Sequence, residues 1–580
     1  MNPDAAAASI AIIGMSCRTS GADTLGELWR LLRTAQRRFA AVPSGRWPGL
    51  DETTWPEPRA ALLDQIDRFD ARLFGVSPRM AAWMDPQHRM ALELAWQAVE
   101  NAGYDPNALA GQRIGVWAGA FLTDYRERIA ATGKADAAAF PGTLMAFTAN
   151  RISYQFDWTG PSMVIDSACS SSLSALAAAV FALRAGECEM ALVAAPNVIS
   201  AGYYAGNALL GGALSRTGES TPFSADRNGY VRGEGGACVL LKRLDLALAD
   251  GDPVHAIVRA VGTGHNGRGG GLTGTDSRSQ ASLLRTTTAA AGCSVLDLGY
   301  LEAHGTATKT GDAAELAALH EVLAEATHDG ERPSGPQGRL WIGSIKANIG
   351  HLEGASGLIG LIKTVLVLRH GLIPRIAGLS DVDPDLPVGD PLALATEDVP
   401  WPRNATTPRR AAVNSFGLGG ALAQVLIEEP PSRGGPVDED QAVHVLPLAA
   451  DDEPALRALA ARLHAELADE APPRLAELAW TLQTGRAARR VRTALLVSDP
   501  AELPQALASA AQGDADRWAA DRIIEAGQAL TSDTVAAVRR WLAGGDAGWT
   551  GLWSGPRPVR VALPCAPFVG KSHWFDRGAR

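Results

Sequence analysis

The stretch Val164-Ile-Asp-Ser-Ala-Cys-Ser-Ser-Ser-Leu-Ser-Ala-Leu176 sets one cysteine among five serines and runs directly into an apolar pattern that continues through Val180-Phe-Ala-Leu-Arg184 to Gly186. That pattern predicts a helix with a glycine stop. Cys169 then lies at, or just before, the helix N-terminus, where unpaired N–H groups and the positive end of the dipole face its sulfur. Such a field favours thiolate over thiol. The small neighbours Ala168, Ser170 and Ser171 leave room for a chain to approach. A lone cysteine is more often a small core hydrophobe, so the reading needs support from elsewhere in the chain.

Two segments supply it. In LEAHGTATKTGDAAE (Leu301–Glu315), His304 follows a strand end and Gly305 allows a tight turn. In IGSIKANIGHLEGASGLIGLIK (Ile342–Lys363), His351 follows a loop containing Asn348 and Gly350 and precedes a helix with a small-residue face. Each histidine alone is an ordinary hydrogen bonder. One cysteine and two loop histidines, each in a strand-to-helix passage, make a nucleophile with a pair of proton-handling groups.

The surrounding chain reads as α/β. Short β-branched runs recur at Ile10–Met15, Ile114–Gly119, Ala191–Pro196, Ala237–Lys242, His255–Gly262, Leu340–Ile345 and Ala423–Glu429, with helix-length patterns between them. Asp85-Pro86 opens a helix over HRMALELAWQAVENAG, its apolar positions forming a broad buried stripe. Composition breaks at Glu429–Gln441, rich in proline, glycine and charge, which sets a boundary between residues 1–429 and 430–580. The second part reads as strands VLPLAA and TALLVS, helices EPALRALAARLHAELADE and ELPQALASAAQG, and a tail ending in aromatics that need a surface to pack on.

With 580 residues, more than one core is expected. A net charge of −10 without a basic run argues against nucleic acid. Six scattered cysteines without a CxxC pair exclude zinc and redox motifs on spacing. The N-terminal MNPDAAAASIAIIG lacks the basic start of a secretory signal, and no run of about 20 apolar residues offers a membrane span. A cytoplasmic protein is expected.

Eight motifs, in order, carry a family resemblance: IAIIGMSCR, MDPQHRMALELAWQAVENAG, ANRISY, GPSMVIDSACSSSLSAL, FSADRNGYVRGEGG, EAHGTAT, GSIKANIGHLEGASG and NSFGLGG. The chain resembles a β-ketoacyl synthase (ketosynthase) of modular polyketide synthases. The resemblance implies a thiolase-like, five-layered α-β-α-β-α core built from two repeated halves, and a homodimer. It implies that Cys169 takes an acyl chain from a carrier protein's phosphopantetheine arm, while His304 and His351 act on a malonyl-type extender. It implies that Lys346 positions His351 electrostatically, that Thr306 and Thr308 bind the pantetheine arm, and that Asp312, Glu315 and Asn348 support the site. The oxyanion hole would be the backbone N–H groups of Cys169 and Leu418, beside Phe416. No metal and no dissociable cofactor is implied, since the arm belongs to the carrier. The part after residue 429 resembles the small α/β linker domain of assembly lines without built-in acyltransferases, and its ALPCAPFVGKSHWF ending resembles the tail that wraps back on the ketosynthase. A free-standing ketosynthase served in trans by a carrier protein and by other polyketide or hybrid peptide synthase subunits is expected.

Some positions depart from the family. Where relatives read GFGGTN, this chain reads Gly417-Leu-Gly-Gly-Ala-Leu422, losing an aromatic gate and two side chains that would hold the loop. Ala307 stands where relatives have glycine in HGTGT, and Asp-Ser-Ala-Cys replaces Asp-Thr-Ala-Cys. Two reactions stay open: decarboxylative Claisen condensation, and release of a captured chain by intramolecular aldol or lactone closure. Condensation ranks first because Cys169, both histidines and Lys346 are all present. A non-catalytic partner ranks last, because such relatives lose the cysteine. The Gly-rich GRGGGLTG lacks the Lys-Ser/Thr of a phosphate loop. The tail position leaves Cys565 open to exposure with nothing nearby to activate it, and Cys17, Cys188, Cys238 and Cys293 are expected to behave as small hydrophobes.

Overall fold

The hydrogen-bonded ladder at the centre of the molecule is built twice from the same plan. The computed structural model describes residues 9–50, 53, 55, 57–327, 331–431, 443–469, 473–513 and 530–576. The first half contributes β1 (Ile10–Thr19), β2 (Ile114–Gly119), β3 (Ser162–Ile165), β4 (Met190–Asn197) and β5 (Gly235–Arg243). The second contributes β6 (Ala256–His265), β7 (Tyr300–Glu302), β8 (Leu340–Gly343), β9 (Leu392–Leu394), β10 (Arg410–Phe416) and β11 (Ala421–Glu428). Outward from the centre, the first half runs β1-β5-β4-β2-β3 and the second β6-β11-β10-β7-β8, with β9 added at the edge. Directions match as well: β2 is parallel to β3 and β4 as β7 is to β8 and β10, and the inner pairs are antiparallel in both. The halves join where Ile10, Ala11 and Ile12 pair with Val258, Ile257 and Ala256. β1 and β5 are buried along nearly their whole length, as a sheet covered on both faces requires.

Four helices position the site. α1 (Pro86–Asn101) starts as expected, with Pro86 in the first turn and Asp85 Oδ1 accepting from Gln87 N at 2.8 Å. α2 (Ser171–Arg184) follows β3, α3 (Lys309–Ala326) follows β7, and α4 (Ser356–His370) follows β8. α2 and α4 hold equivalent places in the two halves and pack on each other and on strands of both. They form the middle layer of the thiolase-like stack. Small residues make this possible: a Cβ on Gly357 would meet Leu173 Cγ at 2.6 Å.

α1 is not the striped helix its sequence predicts, because every residue from Pro86 to Asn101 is buried. Its outer face is covered by the chain's own tail. Arg89 donates to His573 O at 2.8 Å and Cys565 Sγ to Gln97 O at 3.5 Å, while Arg486 reaches Glu100 O. Cys565 is therefore buried rather than exposed. Lys571–Ser572 pairs antiparallel with Arg68–Phe69, and Trp574 and Phe575 pack on Tyr125 with centroids 5.1 and 5.5 Å away.

Beyond the expected boundary, of which residues 432–442 lie outside the described residues, β12 (His444–Ala450) and β13 (Val491–Val497) form an antiparallel pair. It is flanked by α5 (Glu453–Asp469), α6 (Leu475–Thr484), α7 (Leu503–Gln512) and α8 (Ser532–Leu542). Leu446, Leu459, Leu478, Leu495 and Leu507 form a core of their own, joined by Val561 and Leu563 from the tail. Among the described residues no helix is long and apolar enough to cross a membrane.

Candidate active site

The turn carrying Cys169 is tied by its serines. Asp166 Oδ1 accepts from Ala168 N at 3.0 Å, Ser171 Oγ accepts from Ser167 N at 2.9 Å, and Ser170 Oγ donates to Ser167 O at 2.8 Å. Ala168 is held at φ +55°, a left-handed conformation that turns the chain sharply from β3 into α2. Ser172 Oγ accepts from Leu358 N of α4 at 3.1 Å, and Cys169 O accepts from Ser415 Oγ at 2.8 Å and Ser356 Oγ at 3.2 Å. The serine cluster thus cements one half to the other around the cysteine.

Cys169 is partly exposed, and the backbone N–H groups of Leu418 and of Cys169 itself both act to lower its pKa. Close approach explains the glycine at 417, where a Cβ would lie 2.2 Å from Ser167 O. The loop is held without the lost side chains: Gly417 N donates to Ala421 O at 2.7 Å, Gly420 N to Gly417 O at 3.0 Å, and His265 Nε2 bonds Gly419 O at 2.9 Å. His265 Nδ1 accepts from Gly267 N, so its Nε2 carries the proton and donates.

The expectation of a resting thiolate is corrected. Burial pushes the Cys169 thiol up to about 12, and Glu353 adds to the rise, while the two amides and Lys346 pull down. α2 begins at Ser171, so Cys169 precedes the first turn, and the amides at its sulfur do not offset desolvation.

The two imidazoles meet edge to face, centroids 5.5 Å apart and planes at 82°. His304 Nδ1 accepts from Phe416 N at 3.3 Å, and His351 Nδ1 accepts from Glu353 N at 3.1 Å. An N–H donor at Nδ1 leaves the proton of a neutral ring on Nε2. Both rings are held well below the ordinary histidine range, by burial first and by Lys346 next. At neutral pH the site therefore holds two uncharged Nε2–H donors. His351 is fully buried and its Nε2 has no hydrogen-bond partner among the described residues, whereas His304 is partly exposed. Such donors suit an oxygen on which negative charge develops.

The other sequence-selected residues fall into distinct places. Glu315 Oε1 accepts from His304 N at 2.8 Å and Asn414 Nδ2 at 2.9 Å, and its Oε2 accepts from Gly305 N at 2.9 Å. Asp312 accepts from Phe223 N at 2.8 Å and Ala307 N at 3.1 Å, and burial raises it to about 7. Lys346 is buried, its pKa lowered by desolvation against the pull of Glu302, Glu315, Cys169 and Asp312. Thr306 and Thr308 bond to each other at 3.0 Å. Asn348 Nδ2 donates to Gln36 O at 2.9 Å, and the Asn348 backbone carbonyl accepts from Arg38 N at 2.8 Å. Phe416 packs on His304 at 5.5 Å, and Leu418 is 55% exposed at the loop tip. Sequence reasoning passed over His265, Arg232, Tyr230 and Glu353. The signal was a charged residue set among glycines in both VRGEGG and HLEGASG. Among the described residues no group of three or more His, Cys, Asp or Glu is arranged to hold a metal.

Comparison with known proteins follows the same lines. Residues 7–247 match the β-ketoacyl synthase N-terminal domain, 255–380 the C-terminal domain, and 383–493 the ketoacyl-synthetase C-terminal extension. The chain is 40% identical over 87% of its length to spectinabilin polyketide synthase system protein NorA′ of Streptomyces orinoci, and spans 14% of that protein. It is 35% identical over 94% of its length to 5-methyl-1-naphthoate synthase of Streptomyces sahachiroi, spanning 31% of it. Among solved structures, the ketosynthase from module 6 of the bacillaene synthase of Bacillus subtilis 168 (C167S mutant) aligns over 98% of this chain and 100% of its own, with TM-score 0.84 and 30% identity. The oxazolomycin ketosynthase domain OzmH KS7 of Streptomyces albus JA3453 aligns over 98% of both chains with TM-score 0.84 and 32% identity.

Proposed function

The chain belongs to the β-ketoacyl synthase family, as a ketosynthase of polyketide synthases, and from that premise we propose that it forms a carbon–carbon bond by decarboxylative Claisen condensation on Cys169. The observation that carries the reading is the pair of neutral Nε2–H imidazoles, one of them held by the N–H of Phe416, whose neighbour Ser415 bonds the carbonyl of Cys169.

In the first step the Cys169 sulfur attacks a thioester carbonyl presented on a pantetheine arm. The Leu418 and Cys169 amides receive the developing oxyanion, and the arm's sulfur leaves. Thiol–thioester exchange is proton-neutral, so the Cys169 proton ends on the arm. That fits a nucleophile resting as thiol and ionised only as the bond forms. In the second step a malonyl-type thioester loses CO₂, and its enolate oxygen is held by the His304 and His351 Nε2–H groups. The enolate carbon attacks the acyl-Cys169 carbonyl, the C–S bond breaks, and the released thiolate takes up one proton. Charged imidazoles would lose their neutrality match with a desolvated site, and burial with Lys346 nearby keeps them uncharged.

The acyl donors and extenders are thioesters on carrier proteins, working in the cytoplasm with other synthase subunits, and residues 1–429 and 430–580 act as ketosynthase and linker domain. Assembly as a homodimer accords with β3 being an edge strand among the described residues, with Met163 on it 44% exposed and Tyr154 and Phe140, in the helical segments before it, 87% and 72% exposed. The test supplies a carrier-bound acyl chain with and without malonyl-carrier. Two added carbons with loss of CO₂ are expected, and a ring-closed product formed without extender would instead establish the cyclising reaction.

A further inference from the structure

We propose that the buried Arg232–Glu353 ion pair is a positioning device for His351, holding the ring in its donor tautomer for the extender half of the reaction. This rests on the condensation reading above. Arg232 Nε and Nη2 grip Glu353 Oε1 and Oε2 at 2.6 and 2.8 Å, a two-pronged pair with 0% and 1% of the side chains exposed.

The grip acts through the backbone. Glu353 sits at φ +44°, a conformation that an L residue adopts only when its surroundings hold it there. In that conformation its N–H points at His351 Nδ1. Arg232 also runs beside the histidine: its backbone forms a parallel bridge with His351, Gly233 N donates to His351 O at 2.9 Å, and His351 N donates to Val231 O at 2.7 Å. The guanidinium is fixed by Tyr204 and Trp47, whose centroids lie 5.0 and 5.8 Å from it. One arm locks the backbone strand beside His351, and the other locks the residue that sets its tautomer. A salt bridge serving stability alone would need neither connection, and buried pairs of this kind are often replaceable by apolar residues without loss of stability.

The charge also bears on His351. The groups facing the ring are His304, Lys346, Arg232, Tyr230 and Glu353, with Cys169 beside Tyr230 and Asp124 beyond Arg232. Removing the guanidinium leaves the Glu353 carboxylate uncompensated and eases protonation of the imidazole.

The experiment measures Cys169 acylation and malonyl-carrier decarboxylation separately, each against pH, in the full chain. It compares wild type, H351A, R232M, R232K and the charge-balanced double variant R232M/E353Q. For R232M, decarboxylation is expected to fall at least 10-fold more than acylation, with its acid limb moved up by about one pH unit. R232M/E353Q should show a smaller upward move, and R232K should restore the limb's position without the full rate. If R232M does not fold, the double variant reports alone. Acylation and decarboxylation falling in parallel with an unmoved acid limb, or neither changing, overturns the positioning role. Full decarboxylation in H351A would instead overturn the condensation reading itself.

Discussion

The turn after β3 and the turn after β8 occupy the same place in the two halves, yet they present opposite chemistry. The first is knotted by serines, passes through Ala168 at φ +55° and offers a sulfur. The second passes through Gly350 at φ +69° and Glu353 at φ +44° and offers an imidazole backed by a buried ion pair. Each follows the third strand of its half and each is followed by a helix of the central layer. Duplication therefore brings two chain segments nearly 200 residues apart face to face, and the difference between them divides the labour. On the proposed reading one side becomes covalently loaded and the other manages charge.

That division predicts its own failures, and the largest concerns the sulfur. Cys169→Ala is expected to lower acyl loading by at least about 10³-fold, measured as covalent mass gain from an acyl-carrier. Loading at the wild-type level would remove the nucleophile from the first turn.

Next comes the imidazole. His351→Ala should cut condensation by about 10²–10³-fold, the scale of a lost oxyanion donor, while acylation of Cys169 persists. Because both histidines are held below their ordinary range, the histidine-dependent acid limb of condensation in wild type should lie below about pH 6.5. The sign follows from the cause: a lowered pKa keeps the rings neutral until the solution is more acidic, so activity is lost later on descent. An acid limb above pH 7 would mean that the rings are not held below their ordinary range, and activity lost as pH rises through that region would mean that charged rings are the working form.

The resting state of the sulfur gives a smaller, sharper test. Alkylation of Cys169 by a small electrophile in the free protein should still be rising at pH 9, as a thiol raised to about 12 requires. A rate already flat at neutral pH would show the amides and helix outweighing desolvation.

The smallest effect lies at Ala307, buried with φ +58°, a conformation that favours glycine. Relieving the left-handed strain outweighs the extra freedom glycine brings to the unfolded chain. Ala307→Gly should thus stabilise by about 1 kcal/mol or less, read as a small rise in denaturation midpoint. A clear loss would show the methyl to be packed in earnest.

Much of the site was legible because its chemistry is local. A strand, a glycine and a functional side chain within a dozen residues announced the turns at Cys169, His304 and His351. Helix α1 was legible at its start for the same reason, since Asp85 and Pro86 act on their own first turn. What escaped was set by distant chain. The outer face of α1 is covered by residues near 570, so its burial on every side could not be inferred from its own periodicity. Asn348 finds its hydrogen-bond partner at Gln36, far away in the chain. Arg232 stood in plain view within a motif, but its partner lies 121 residues away.

Residue order by itself determined the strands and helices, the choice of Cys169, His304 and His351 as candidates and the sharp turns that carry them, because backbone preference and hydrophobic period act over a few residues. Tertiary structure alone decided the protonation of Cys169, the tautomers of both histidines and the pairing of Arg232 with Glu353. Those depend on desolvation and on hydrogen bonds from remote backbone, which exist only once the two halves have closed on each other.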